Sequence, residues 1–472
     1  MSGTKMSARE RIASLLDVSS FVEIGANVTS RSTDFNMPEK ETPADGVITG
    51  YGVIDGNLVY VYSQDATVLG GSIGEMHSKK ISKIYDLAMK VGAPVIGLID
   101  CAGLRLQEAT DGLNSFGELF SKQAMASGVI PQITVLFGTC GGGTALIPAL
   151  TDFTFMTKEN AALFVNSPNA LEGNYKEKLD TASAEYHATT SGLVDVVGES
   201  EEEVLSEVRT LVSALPACNE EDGAFEECTD DLNRIVADLE AYPHDARYIL
   251  SSVSDNGFFF ETKKDFAKGM VTGFIKLNGS TIGCVANQLS DGEQELAPEL
   301  TVDGAAKAMK FVSFCDAFNI PILSVTNVKG LKATVCEEKR IAKAVAKLTY
   351  AFSSATVPKV NLVVGESFGT AYIAMNSKSI GADLEFAWPT AKIGMMNAKE
   401  AANIMYSGES ADVIAQKASE YDALQTSVES AAKRGYVDDI IVPDATRKRL
   451  IAAFEMLFTK QVSTPNKKHG TV

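Results

Sequence analysis

Histidine is scarce in this chain: 472 residues contain four, at positions 77, 187, 244 and 469. No His-rich metal site is expected from so few. The seven cysteines (101, 140, 218, 228, 284, 315 and 336) are scattered, odd in number, and form no Cys-x-x-Cys pair. That excludes a zinc ribbon and reads as reduced thiols in a cytosolic protein. Basic residues are in deficit, 42 against 61 acidic, for a net charge of −19. Nucleic acid is an unsuitable partner, because its phosphates are bound by Lys/Arg neutralisation. A small anion held by a local basic cluster stays compatible. No run approaches about 18 consecutive apolar residues, so no membrane span is expected. Met1–Lys5 leads into a polar segment without the apolar region of a signal peptide. What is present is an ordinary globular composition, 45% hydrophobic and 22% charged.

The chain repeats itself. Ala8-Arg9 returns as Ala246-Arg247, Asp17 as Asp255, and Phe21-Val22-Glu23 as Phe259-Phe260-Glu261. Gly46–Gly50 returns as Gly269–Gly273, and Asp55-Gly56 as Asn278-Gly279. Pro94 returns as Pro321, and Pro131 through Gly138 as Pro358 through Gly365, at an offset of 227 residues. Gly192–Asp195 matches Gly435–Asp438. Solenoid repeats run to roughly 20–50 residues, so this period marks a duplicated domain. The polar run Asn219–Asp231 reads as linker, giving domains of residues 1–225 and 235–472. Two copies of one fold imply two sites of one kind.

Each half reads as a helix, a short strand, a hairpin, a helix, then buried strands alternating with helices, an α/β layered pattern. The hairpin Val47–Val53 to Leu58–Tyr62 turns at Asp55-Gly56, a strong hairpin dipeptide. Glu75–Val91 has helical apolar spacing. Pro94–Asp100 and Ile133–Gly138 are continuous apolar runs, as expected of strands covered on both faces.

The turn Phe137–Ala145 (Phe-Gly-Thr-Cys-Gly-Gly-Gly-Thr-Ala) follows a buried strand and precedes a helix. Glycine lets the backbone turn sharply and a ligand approach closely. The first N–H groups of a helix have no intrahelical partner. Together they can form an oxyanion hole. Its counterpart is Gly365–Ala371. One such turn reads as tight helix–strand packing; two at matched positions point to function. The second turn also admits an alternative. Gly365-x-Ser367-x-Gly369 fits the nucleophile elbow of α/β-hydrolases, and Gly138-x-Cys140-x-Gly142 imitates it with a thiol. A serine esterase using Ser367 needs a base, and the one histidine after Ser367 is His469. His187 and His244 follow Cys140.

Lys79, Lys80 and Lys83 cluster in the helix after Gly70–Gly74 and, by charge alone, read as a solvated face. Ala88-Met89-Lys90 and Ala308-Met309-Lys310 resemble the biotinylated tripeptide of carrier domains. Both lysines are expected to end helices rather than occupy hairpin tips, so the chain itself should carry no biotin.

With these turns, the chain resembles the carboxyltransferase component of biotin-dependent acyl-CoA carboxylases, transcarboxylases and decarboxylases. The resemblance covers nearly its whole length. It rests on Ala8–Ile12 with Leu15–Asp17, Gly70–Ser72, Arg105–Glu108, Pro148–Phe153, Tyr350–Phe352, Ala355–Lys359, Ala387–Ala391 and Val437–Ile441. It implies two tandem crotonase-like β-β-α spiral domains, the first for acyl-CoA and the second for biotin. It also implies a homohexamer in which one subunit's N-terminal domain meets its partner's C-terminal domain. The transfer would pass through two anions, a thioester enolate and a biotin ureido enolate. Gly142 and Gly143 would hold the thioester oxygen. Thr370 and Ala371, beside Gly369, would hold the ureido oxygen. Gly103, Arg105 and Ile373 would line the substrate, and Lys79 and Lys80 would face CoA phosphates. No metal is implied. Biotin would arrive on a separate biotin carboxyl carrier protein, with a biotin carboxylase subunit or a membrane decarboxylase subunit as further partner. The implied location is cytoplasmic, or peripheral to a membrane complex.

The chain departs from the family pattern at three places. Thr370 stands where the family has glycine, which is costly if that residue needs φ > 0. Leu331–Thr334 replaces a Pro-Gly loop. Ile373 stands where propionyl-type carboxylases have aspartate. The Met375–Lys378 stretch looks closer to the transcarboxylase and decarboxylase branch. The propionyl/methylmalonyl-CoA class is therefore expected, with the direction of transfer open.

Overall fold

Ser7 starts the first regular element of the computed structural model, which describes residues 5–221 and 223–462. Its hydroxyl accepts from the Glu10 N–H while the Glu10 carboxylate accepts from the Ser7 N–H, a capping box that launches helix Ala8–Leu15. The chain divides into two compact units, Met1–Ala224 and Phe225–Val472.

In the first unit the strands are β1 (Val22–Glu23), β2 (Val47–Ile54), β3 (Asn57–Gln64), β4 (Val95–Cys101), β5 (Gln132–Gly141), β6 (Phe153–Thr157), β7 (Ala162–Phe164) and β8 (Val196–Gly198). They form one sheet in the order β1-β2-β3-β4-β5-β6-β8. The first three are antiparallel and the rest parallel. β5 is the pivot. Its residues Ile133–Leu136 pair with β6, and Thr139–Gly141, farther along, pair with β7. The strand thus delivers its glycine turn beyond the main sheet, between two pairings.

The second unit repeats this with β9 (Phe259–Thr262), β10 (Met270–Leu277), β11 (Ser280–Asn287), β14 (Ile322–Val328), β15 (Lys359–Phe368), β16 (Leu384–Ala387), β17 (Lys392–Gly394) and β18 (Asp439–Ile440). A two-stranded ribbon of β12 (Ser290–Asp291) and β13 (Gln294–Glu295) is added after β11. The sheet order is β9-β10-β11-β14-β15-β16-β18, and β15 pairs with β17 as β5 does with β7.

The two units also repeat their polar contacts. Asp17 accepts from the N–H groups of Asp55 and Gly56, and Asp255 from those of Asn278 and Gly279. Both hairpins need positive φ at two successive residues, +49° and +82° in one, +49° and +78° in the other. Arg209 bridges Asp17 and the Leu15 carbonyl; Arg447 bridges Asp255 and the Val253 carbonyl. The apolar core of each unit lies between its sheet and its helices: Val95, Ile99, Leu136 and Met156 meet Ile81, Ile84 and Leu119 in the first. Leu323, Val325, Val360 and Leu362 meet Ile249, Leu250 and Leu450 in the second.

One expected helix end differs. Lys90 lies in the last turn of helix Glu75–Val91. Lys310 does not end its helix, which runs Val302–Ala317 because the apolar face continues through Phe311, Val312, Phe314 and Cys315. Neither lysine is on a hairpin tip.

Candidate active site: two matched glycine turns

β5 ends in a tight helical turn, Gly142–Ala145, that runs into helix Leu146–Leu150. β15 ends directly in helix Gly369–Ala374. Gly142 and Gly369 both have φ of +64°, a conformation glycine adopts without steric cost. The exposure of successive residues matches as well. Gly142 and Gly369 are half-buried, Gly143 and Thr370 are exposed, and Thr144 and Ala371 are buried. No side chain caps either start. The first N–H groups of each turn have no acceptor inside their own helix and are therefore available to an outside acceptor. Three residues past Gly143 and Thr370 come Leu146 and Ile373, apolar side chains 46% and 39% exposed. Each turn thus combines backbone donors with an apolar wall.

Thr370 does not have positive φ; it lies in the helix, one residue beyond the left-handed position. The cost anticipated for replacing a glycine there does not arise. Gly103, with φ of +114°, lies against the first turn: a β-carbon on it would stand 3.5 Å from the Gly141 carbonyl oxygen.

Two residues expected to touch substrate are inside the protein. Arg105 is 2% exposed. Its guanidinium bonds Asp45 at 2.6 Å, Glu108 at 2.8 Å and the Ser72 carbonyl at 2.9 Å. It braces the Gly70–Ser72 loop from below. Lys80 is 6% exposed and donates to the carbonyls of Ala44 and Val47. Burial pushes its ammonium down to about 8. Lys307, the residue matched to Lys80, donates in the same way to Lys263 and Phe266. These lysines close loops onto helices. Of the basic cluster, Lys79 and Lys83 remain at the surface, with Lys79 paired to Glu75.

The hydrolase alternative fails on geometry. Ser367 is fully buried, and its hydroxyl has no hydrogen-bond partner. Cys140 is equally buried, donates to the Thr144 carbonyl, and has its thiol pushed up to about 12 by burial. A nucleophile needs a base within hydrogen-bond reach. His187 is engaged by Ser191 and the Leu163 carbonyl, and His77 by Gln64 and Asp45. His244 is exposed and makes no bond to Ser367. His469 lies outside the described residues. Among the described residues no cluster of His, Cys, Asp and Glu could hold a metal ion, and no helix is long and apolar enough to cross a membrane.

One pair, a half-buried tyrosine on a buried carboxyl group, had no local signature in the sequence. Tyr372, in the second turn helix, donates to Glu385 on β16 at 2.6 Å. Burial raises the Glu385 carboxyl to about 7. The available signal was a lone carboxylate within the apolar run 384–388.

The model of the carboxyl transferase domain matches residues 2–472. The chain is 43% identical to the propionyl-CoA carboxylase beta chain of Roseobacter denitrificans, over 99% of this chain and 94% of that one. It is 41% identical to the methylmalonyl-CoA decarboxylase subunit alpha of Propionigenium modestum, over 99% and 93%. Its fold superposes on one chain of the transcarboxylase 12S hexamer, solved with hydrolysed methylmalonyl-coenzyme A bound, with a TM-score of 0.93, 37% identity, and coverage of 99% of this chain and 92% of that one. The chain therefore belongs to the carboxyl transferase family, with a crotonase fold, as a biotin-dependent carboxyltransferase of the propionyl-CoA carboxylase and methylmalonyl-CoA decarboxylase class.

Proposed function

We propose that the chain moves a carboxyl group between a biotin carrier protein and the α-carbon of a short-chain acyl-CoA, methylmalonyl-CoA or propionyl-CoA. The observation that carries this is the pair of turns at Gly142 and Gly369, alike in φ and in exposure. The N–H groups of Gly142 and Gly143 serve the thioester oxygen, and those of Thr370 and Ala371 the ureido oxygen. Each pair stabilises negative charge that grows in the transition state, the largest single contribution in many enzymes. The second turn suits a ureido group, having exposed donors, no side-chain cap, and Ile373 alongside. Biotin, when bound, supplies the nitrogen that carries the carboxyl group. The protein's part is to place donors, present apolar walls and exclude water. An isoleucine at 373 offers neither charge nor hydrogen bond, so selection among acyl groups rests on shape.

Further parts of the reading draw on the relatives. The first unit takes the acyl-CoA, with Gly103 beside the thioester and Lys79 and Lys83 toward the phosphates. The second takes biotin. The working form is a homohexamer in the cytoplasm, receiving biotin on a separate carrier protein and joined by a biotin carboxylase or a membrane decarboxylase subunit. A panel of methylmalonyl-, malonyl- and glutaconyl-CoA, each incubated with free biotin, tests the core of this. Turnover of methylmalonyl-CoA that requires biotin is expected. Biotin-independent thioester hydrolysis, or no turnover of any donor, would overturn it.

A further inference from the structure

Behind the second turn the protein holds a titratable pair that the first unit lacks. The matched positions are fixed by register. Thr134 pairs with Thr154 between β5 and β6, and Asn361 with Glu385 between β15 and β16. Asp195 exchanges backbone and side-chain bonds with Thr154, and Asp438 does the same with Glu385. Tyr372 takes the place of Ala145, 227 residues earlier. The first unit therefore fills this space with a methyl group and hydroxyls: Thr134 bonds Thr151 at 2.9 Å, and Thr154 bonds the Pro148 carbonyl at 3.2 Å. The second unit fills it with a carboxyl group and a phenol.

Glu385 has no exposed surface. One oxygen accepts from the Tyr372 hydroxyl at 2.6 Å, the other from the Lys378 N–H at 2.7 Å. A single carboxyl group thus grips the turn helix and the segment that follows it. We propose that Glu385, acting through Tyr372, is a positioning residue that fixes the start of helix Gly369–Ala374 and sets the charge behind the second oxyanion hole. The inference rests on the reading that Thr370 and Ala371 are the donors there.

The groups that face Glu385 are few. Tyr372 comes from the turn helix and Asn361 from β15. Asp438 accepts from the Glu385 N–H, and its charge is shared with the Lys378 ammonium. Burial holds the carboxyl neutral up to about pH 7, and Asp438 pushes the same way, while Tyr372, the Lys378 N–H and Asn361 favour the anion. A neutral Glu385 leaves the oxyanion hole free of like charge. An ionised one sets a negative charge behind the place where another must form. One like charge a side-chain length away, about 6 Å, at an effective dielectric of roughly 20, lowers the rate on the order of a hundredfold.

The test is the pH profile of biotin-dependent methylmalonyl-CoA turnover by the full-length protein. The expected kcat falls on the order of a hundredfold as pH rises through about 7, with the KM for acyl-CoA unchanged. Glu385→Gln should remove this inflection. Tyr372→Phe withdraws a bond that favours the carboxylate and should move the inflection to higher pH. It also serves if Glu385→Gln does not fold. An inflection unchanged in either soluble variant would overturn the proposal. Thr370→Pro, which deletes one donor, separates the two ideas. If it keeps wild-type turnover, the donor assignment fails. If it loses turnover while Glu385→Gln keeps the inflection, the pair alone is refuted.

Discussion

A β-carbon on Gly143 would stand 2.9 Å from Cε1 of Phe116. The first turn is therefore glycine at this position for want of space, whereas the matched residue of the second turn, Thr370, is exposed and tolerates a side chain. The two turns share a backbone and differ in what stands in front of it. Gly143→Ala keeps the N–H but must displace Phe116, and Gly143→Pro loses the donor as well. We expect the alanine variant to lose activity modestly and the proline variant to lose a further 10²–10³ in kcat, about the scale of one oxyanion donor. Steady-state kinetics on both, with circular dichroism to confirm folding, checks this. Equal losses would show that space at Phe116 matters and the N–H does not.

Ser367→Ala distinguishes the two chemistries considered for the elbow-like sequence. The hydroxyl is buried without a partner, a condition that costs about 1–3 kcal/mol where a polar group is left unsatisfied. Its removal should leave kcat unchanged and the melting temperature equal or higher. Loss of turnover with the fold intact would return Ser367 to the list of nucleophiles.

Glu385 also gives stability a pH dependence. Its folded pKa, about 7, lies above the ordinary glutamate value of 4.5, because burial disfavours the charged form. The folded state therefore binds this proton more tightly than the unfolded state. Its stabilising contribution is full below about pH 4.5 and is lost as pH rises through about 7. At neutral pH and above, Glu385→Gln should be the more stable protein, by up to roughly 3 kcal/mol. Urea melts at pH 5 and pH 8 measure this. A difference between variant and wild type that does not grow with pH would contradict it.

Much of this architecture was readable in the sequence, for physical reasons particular to each element. Asp55-Gly56 and Asn278-Gly279 marked hairpins because so few residue pairs accept two successive positive φ values. The apolar runs at 94–100 and 133–138 marked strands buried on both faces. The glycine turns stood out through their repetition. What could not be read was the direction in which charged side chains point. Lys79 and Lys80 are neighbours in sequence, yet the helix turns one to solvent and the other to two backbone carbonyls. Arg105 looked like a ligand-binding residue, but its partners Asp45 and Ser72 come from distant parts of the chain. Tyr372 meets Glu385 only because β15 and β16 are adjacent and parallel. Thr370 looked costly until the positive φ was placed at Gly369, one residue earlier.

The two Ala-Met-Lys tripeptides lead to the last prediction. A biotinyl lysine must be presented at an extended tip that a ligase can grasp and that can swing into a second active site. Lys90 is exposed in the last turn of a 17-residue helix. Lys310 is exposed near the middle of a 16-residue helix, with Phe311 and Val312 buried immediately after it. Unwinding either to present its lysine would expose core: Ala88 is buried just before Lys90, and both aromatic and aliphatic neighbours follow Lys310. Burial of one such large apolar side chain is worth about 1.5–3 kcal/mol, so a modified lysine at 310 would require several of these contacts to be given up. Streptavidin blotting of the protein from its native host should therefore show no band at the 50.3 kDa of this chain, while a smaller carrier from the same lysate should bind. A streptavidin-positive band at the chain's own mass, with the label mapped by peptide mass to Lys90 or Lys310, would show that one of these helices opens, and the requirement for a separate carrier would fall with it.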